Sequence, residues 1–330
     1  MRRMEKKYLL GLLLFLLIWV SCLISARAEE YPTKPIDFII TFGAGGNIDL
    51  SSRALADLAG KHLGQPFVPL NKAGAAGVIG VTSIKNAKPD GYTIGLLTTS
   101  AALVAPFSQV VPYDVLQDFT YIARYGDPLF FLAVRSDKPW KTWKEVIDFG
   151  RTHPGALKIG IAGSRLTNVN GIALSRIAAK EKIKFTFIPL KSGAEILTAT
   201  LGGHVDIYAS SLELTGKDYI AMGKLRVLAS LSDRKMPGFE NIPTTQEIHG
   251  VSIMNCFGII GPKGLAPDIA KKLEEAFLKS MKDPSLEIFM DSMSTTIIPM
   301  TGQQFYEFIK KSYKEQKEIF EMLKAEEGKK

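Results

Sequence analysis

Runs of apolar positions alternate along the chain with stretches of helical spacing. Ile36, Phe38, Ile39 and Ile40 form a compact apolar run that predicts a buried strand, and Leu50, Ala54, Leu55, Leu58 and Ala59 then recur at the helical period over residues 49–62. Between them lies Phe42-Gly43-Ala44-Gly45-Gly46-Asn47-Ile48-Asp49, a glycine-rich turn. A strand, a glycine turn and a helix start leave backbone N–H groups without intrahelical acceptors, at the positive end of the helix dipole. Such a turn suits a carboxylate, phosphate or sulfate; it is also what a plain connection with no ligand looks like.

The same alternation continues. Residues 67–70 read as a second strand, Asn71-Lys72-Ala73-Gly74-Ala75-Ala76-Gly77 as a second small-residue turn, and Val78, Ile79, Val81 and Ile84 as a helix. Pro89-Asp90-Gly91 signals a turn before a strand over 92–97, which Thr98, Thr99 and Ser100 close with three hydroxyls. Strands alternating with helices imply a parallel sheet with right-handed crossovers, and ligands of such sheets sit beyond the carboxyl ends of the strands. Residues 42–49 and 98–100 both fall there. Residues 120–124 and 129–134 read as two strands broken at Tyr125-Gly126-Asp127-Pro128, where the first crossing between domains is expected. A strand over 157–161 leads into Ala162-Gly163-Ser164-Arg165-Leu166-Thr167-Asn168 and another helix, repeating the opening arrangement. Helices are expected over 268–282, 284–293 and 301–323, the last with a core-facing stripe of Phe305, Phe308, Ile309, Ile319, Phe320 and Leu323.

The first 28 residues change the picture of location. Arg2, Arg3, Lys6 and Lys7 precede an apolar run, and Ala26-Arg27-Ala28 supplies small residues at the cleavage positions, so residues 1–28 read as a secretory signal peptide. The alternatives are an uncleaved anchor and lipidation at Cys22, where Trp19-Val20-Ser21 is a poor lipobox. The signal carries five basic residues against one acid, so its loss lowers the net charge from +8 to +4. That modest excess suits an anionic small molecule and gives no reason to invoke nucleic acid. Cys256 is then the lone cysteine, and no intramolecular disulfide is expected.

Four segments in order, Tyr31-Pro32-Thr33-Lys34-Pro35-Ile36, the 42–49 turn, Asn71 through Gly80, and Lys88-Pro89-Asp90-Gly91-Tyr92-Thr93, resemble the substrate receptors of tripartite tricarboxylate transporters, also called Bug-type extracytoplasmic solute receptors. Val111-Pro112-Tyr113-Asp114, Leu201-Gly202-Gly203-His204-Val205-Asp206 and Phe257 through Pro267 extend the likeness over essentially the whole chain after the signal. The resemblance implies an α/β type II periplasmic-binding-protein fold: two α/β domains, 29–124 plus 256–330 and 125–255, with a ligand cleft between them. It implies a monomer without cofactor that captures a small organic carboxylate and hands it to a membrane permease of one large and one small integral subunit. An orphan receptor presenting its ligand to a sensor kinase and an enzyme on the same fold are the alternatives.

Carried over residue by residue, the family pattern makes Phe42, Ala44, Gly45, Gly46 and Asn47 the first ligand loop, with hydroxyls from Thr98, Thr99 and Ser100 beside it. Gly163, Ser164, Thr167 and Asn168 form the second loop, flanked by Lys191. An acid at the position of Asp49 is commonly a helix cap; its functional role would be to hold the glycine loop or to meet a cationic or hydroxyl group of the ligand, and Asp206 either caps a strand end or lines the cleft. Catalytic patterns are missing: the four histidines fall in no metal-ligand spacing, there is no nucleophile elbow or phosphate loop, and Ile48 stands where a dinucleotide fingerprint needs glycine. Gly43, Leu190, Asn168, Asn170 and Cys256 depart from the family pattern, which implies a larger or less polar cleft and leaves citrate specificity unimplied.

Overall fold

The computed structural model describes residues 31–162, 164–212, 214–235, 238–253 and 255–327. The expected signal peptide and Gly163 lie outside the described residues.

The chain builds two mixed sheets. The first contains β1 (Ile36–Ile40), β2 (Phe67–Asn71), β3 (Thr93–Thr98), β4 (Phe119–Pro128), β10 (Phe257–Pro262) and β11 (Thr295–Thr301), in the order β11-β4-β10-β3-β1-β2. The second contains β5 (Phe130–Arg135), β6 (Lys158–Ala162), β7 (Thr186–Leu190), β8 (Ile207–Ser211) and β9 (Leu225–Ser230), in the order β7-β6-β8-β5-β9. β1 pairs in parallel with β2 and β3, and β6 with β7 and β8, as helical crossovers require.

An all-parallel sheet is not what forms. The chain leaves the first sheet at the carboxyl end of β4 and returns from the same edge through β10, so β10 runs antiparallel to both β3 and β4. For the same reason β5 runs antiparallel to β8 and β9. The expected strand break at 125–128 is also corrected: β4 runs through to Pro128, and Leu129 alone separates it from β5. The unforeseen strand β11 accounts for this, pairing Ile297 with Gly126, Thr296 with Asp127 and Thr295 with Pro128. A Cβ on Gly126 would lie 3.1 Å from Thr295 Cγ2, so the small residue there serves packing.

Both faces of the first sheet are covered, which is why β1 reads as a continuous apolar run rather than an alternation. Phe38, Ile40, Leu96 and Ile259 pack on one face against α1 (Asn47–Leu63) and α9 (Pro267–Ser280), through Leu55, Ala59, Leu273 and Phe277. Ile39, Leu97 and Ile260 pack on the other, against α2 (Val78–Lys85) and α11 (Gly302–Glu327), through Val81, Ile84, Phe305 and Ile309. Each such side chain larger than alanine contributes about 1.5–3 kcal/mol by leaving water. The second sheet is sandwiched likewise by α4 (Trp143–Thr152) and α5 (Val169–Glu181) on one face and α6 (Gly193–Leu201) on the other. The turns after β1, β3, β6 and β8 therefore project from the edges at which the chain crosses between the sheets.

Candidate functional site

The glycine turn after β1 is held open from behind. Asp49, in the first turn of α1, is buried, and its carboxylate accepts from Gly45 N at 2.9 Å, Arg53 Nε at 2.8 Å and Asn71 Nδ2 at 2.8 Å. Asn71 Nδ2 also donates to Phe42 O at 2.9 Å, and Arg53 donates to Asn71 Oδ1 at 2.7 Å. Burial opposes ionisation of Asp49, but the Gly45 N–H, the Asn71 amide and the Arg53 guanidinium outweigh it and hold the carboxyl below its ordinary range. Asp49 thus holds the glycine loop, one of its two expected roles, and Arg53 is its partner. Gly45 has φ +86°, a region glycine enters without strain, and a Cβ on Gly43, Gly45 or Gly46 would meet nothing within 4 Å. No side chain caps α1 at Gly46. The turn therefore presents exposed backbone at an uncapped helix start.

Asn47 is placed differently from Ala44 and Gly45. Its side chain is buried, donating to Met293 O at 2.7 Å and Thr295 Oγ1 at 3.0 Å, which pins the helix start to β11. Only its backbone is left to the turn. Among the hydroxyls after β3, Thr99 Oγ1 accepts from Cys256 N at 2.7 Å and so ties β3 to the start of β10. Thr98 Oγ1 is buried with no hydrogen-bond partner among the described residues, while Ser100 is partly exposed. Burial pushes the Cys256 thiol up to about 11, so it is a packed thiol at neutral pH.

The second loop is closed largely by its own side chains. Ser164 N donates to Thr167 Oγ1 at 3.1 Å and the two hydroxyls lie 2.9 Å apart. Asn168 Oδ1 caps α5 by accepting from Asn170 N and Gly171 N, and its Nδ2 donates to Ala162 O at 2.8 Å. A Cβ on Gly171 would lie 2.4 Å from Arg165 O, so the loop folds tightly over the helix it precedes. Lys191 is exposed, beside the Ser192-capped start of α6.

Asp206 lies at the opposite end of β6 from the second loop. Its carboxylate bonds Lys138 Nζ at 2.6 Å and Lys158 N at 2.9 Å, at the start of β6. Four strand residues, about 13 Å, separate that edge from the loop at the other end of β6. It closes the strand end, the first of its two expected roles.

Sequence reasoning missed two features. The carboxyl end of β8, Ser210 and Ser211, lies beside the end of β6 and is buried; small polar residues closing an apolar strand were the available signal. The other is a charged network where the chain crosses between sheets. Arg124 donates to Asn255 O at 2.7 Å and to Asp127 at 3.3 Å, and stacks over Phe308 at 4.3 Å. Asp127 also pairs with Arg234, from the second sheet's side, and Asn255 Nδ2 donates to Pro128 O at 3.2 Å. Burial raises the Asp127 carboxyl to about 6, against the opposing pull of Arg124 and Arg234. These residues border a cavity of about 660 Å³ between α5 and α11, in which Thr99 alone represents the sequence-named site residues. The cavity and the loops are adjoining but distinct. Among the described residues, no group of three or more His, Cys, Asp or Glu side chains could hold a metal ion, and no helix is long and apolar enough to cross a membrane.

With this geometry in view, the chain is similar to known proteins along nearly its whole length. A family model described as "Tripartite tricarboxylate transporter family receptor" matches residues 51–324. A Cupriavidus necator protein, the UPF0065 protein in the gbd 5′ region, is 34% identical over 300 residues, covering 90% of each chain. The crystal structure of a TctC solute-binding protein from Polaromonas is 30% identical, with a TM-score of 0.73 over 88% of this chain and 99% of that one. MatC from Rhodopseudomonas palustris with bound malate shares the fold, at 20% identity and a TM-score of 0.75 over 88% of this chain and 100% of its own. The chain belongs to the tripartite tricarboxylate transporter receptor family.

Proposed function

We propose that this protein is an extracytoplasmic solute receptor that captures a small organic carboxylate between its two sheets and delivers it to a tripartite tricarboxylate-type permease. The observation that carries this reading is the turn at 43–46. It is exposed backbone at an uncapped 17-residue helix, with its conformation fixed by a carboxylate behind it rather than by a side chain in front. Backbone N–H groups at such a helix start favour an anion, and hydrogen bonds to a charged group contribute about 1.5–3 kcal/mol each.

The second loop, at 164–168, is the counterpart across the cleft. The chain divides into residues 29–128 plus 256–330 and residues 129–255, joined at Leu129 and again before β10. Capture requires no covalent step. The ligand stabilises whichever arrangement lets both loops reach it, by its differential affinity for that arrangement. The malate held by MatC supports a carboxylate of similar size as the cargo. Export by a cleaved signal over residues 1–28, a monomeric state and the permease partner complete the reading.

A thermal-shift screen of mono-, di- and tricarboxylates on the mature protein tests it. A ligand at a hundredfold excess over its Kd stabilises by about 2.7 kcal/mol, a shift easily read. A complete panel without a stabilising acid would overturn the proposal.

A further inference from the structure

The long helix α11 does two jobs. Its first half belongs to the first sheet, where Phe305 and Ile309 are fully buried and Gly302 N donates to Glu274 at 2.6 Å. Its 26 residues span about 39 Å, which carries the second half beyond that sheet. There Phe320 and Leu323, each 2% exposed, form a separate apolar cluster with Val104 and Ile172, flanked by Phe107, Leu166, Val169 and Ile319. The Phe107 and Phe320 rings stack at 5.5 Å.

The membership of this cluster is informative. Val104 closes the π-helical turn that begins at Ser100, beside the first candidate loop. Leu166 is the one large apolar side chain of the second candidate loop, and Ile172 lies on α5, which that loop precedes. One helix end thus gathers residues from both sides of the cleft. Hydrogen bonds inside the loop fix its shape, but they do not fix where it sits relative to the first sheet. Among the described residues, Leu166 provides an apolar contact of the loop that reaches outside the second sheet.

We propose that the C-terminal half of α11 is a strap, and that Phe320 and Leu323 are positioning residues which hold the second loop against the first sheet for ligand capture. Parting of the sheets would expose Leu166 and Ile172 to water, so the strap favours the arrangement in which both loops face one ligand. Its mechanical part goes beyond the receptor reading; its consequence for capture rests on that reading.

Hydrogen exchange on the ligand-free protein decides the matter. Phe320→Ala is expected to speed exchange of the amides of 164–172 and 101–107 about tenfold, with β3 and β6 unchanged. Phe320→Leu should restore most of the protection, and Ile288→Ala, at an exposed site on α10 (Pro284–Ser292), should change nothing. Should Phe320→Ala fail to fold, Leu166→Ala approaches the cluster from the loop side and must give the same regional effect. Unchanged protection of 164–172 in Phe320→Ala or Leu166→Ala, or a uniform loss over the whole chain, overturns the strap. Malate is the carboxylate probe in a separate arm. Extra protection of 164–172 on adding malate to the unmodified protein supports capture, and its absence counts against malate as cargo while the ligand-free exchange still decides the strap.

Discussion

Replacing Asp127 with asparagine isolates the balance of forces at the crossing between the sheets. Burial favours the neutral carboxylic acid, whereas Arg124 and Arg234 favour the carboxylate, with Asp233 opposing them. Burial prevails and the carboxyl rises from 3.8 to about 6. The folded state then holds this proton more tightly than the unfolded chain does. The stabilising contribution of protonated Asp127 is therefore full below about 3.8 and is lost as pH rises through about 6. Over roughly two pH units, at 1.36 kcal/mol each, the loss amounts to about 3 kcal/mol at most. Urea unfolding of the mature protein and of Asp127→Asn, from pH 4 to pH 7.5, measures it. The stability of the wild type relative to the variant should fall across that window by up to about 3 kcal/mol and then level off. A relative stability that rises with pH would mean that the two guanidinium groups outweigh burial, which would refute the reasoning.

Other substitutions probe the loops and the core. Asp49→Ala removes the acceptor of Gly45 N, Arg53 and Asn71, and should cost about 2 kcal/mol in chemical denaturation while weakening carboxylate binding at least tenfold. Asn47→Ala leaves buried polar groups at Met293 and Thr295 without their partner, and should cost about 2 kcal/mol with the loop backbone still able to bind. Phe277→Ala opens a cavity between Phe38 and Phe67, and is expected to cost about 3–5 kcal/mol by the same assay.

Much of the fold was legible because its signals are local. The run at 36–40, the glycine turn and the helix at Asn47–Leu63 were all readable, since a doubly covered strand is apolar throughout and Gly45 sits at positive φ. The antiparallel strands were not. Their direction follows from where the chain re-enters a sheet, which no window of residues encodes. Strand β11 escaped for a related reason: Thr295–Thr301 is only partly buried and pairs with β4 alone, so it carries little apolar signature. The continuation of β4 through Gly126 and Pro128 depends on that same missing partner.

Site residues divide along the same line. The exposed backbone at 43–46 was inferable from glycine, whereas the side-chain hydrogen bonds depended on partners distant in sequence. Asn47 turns inward because Met293 and Thr295 wait there, and Thr99 because Cys256 does. Asp206 resembles a family segment, yet parallel register with β6 places it at the far end of the strand. Asp127 lay inside the stretch read as a break and Arg124 at the end of the strand before it, and Asp127's partner Arg234 is 107 residues further on.

The central claim is that the backbone of the first loop holds the carboxylate. The most direct measurement is the amide nitrogen–proton spectrum of the mature protein, titrated with the acid that stabilises it in the thermal-shift screen. The amides of Gly46, Asn47 and Ile48 should shift together with those of 164–168, all at the Kd given by calorimetry. Saturable binding that leaves these amides unmoved, and shifts instead the residues around Arg124 and Asn255, would contradict the claim and place the ligand in the neighbouring cavity.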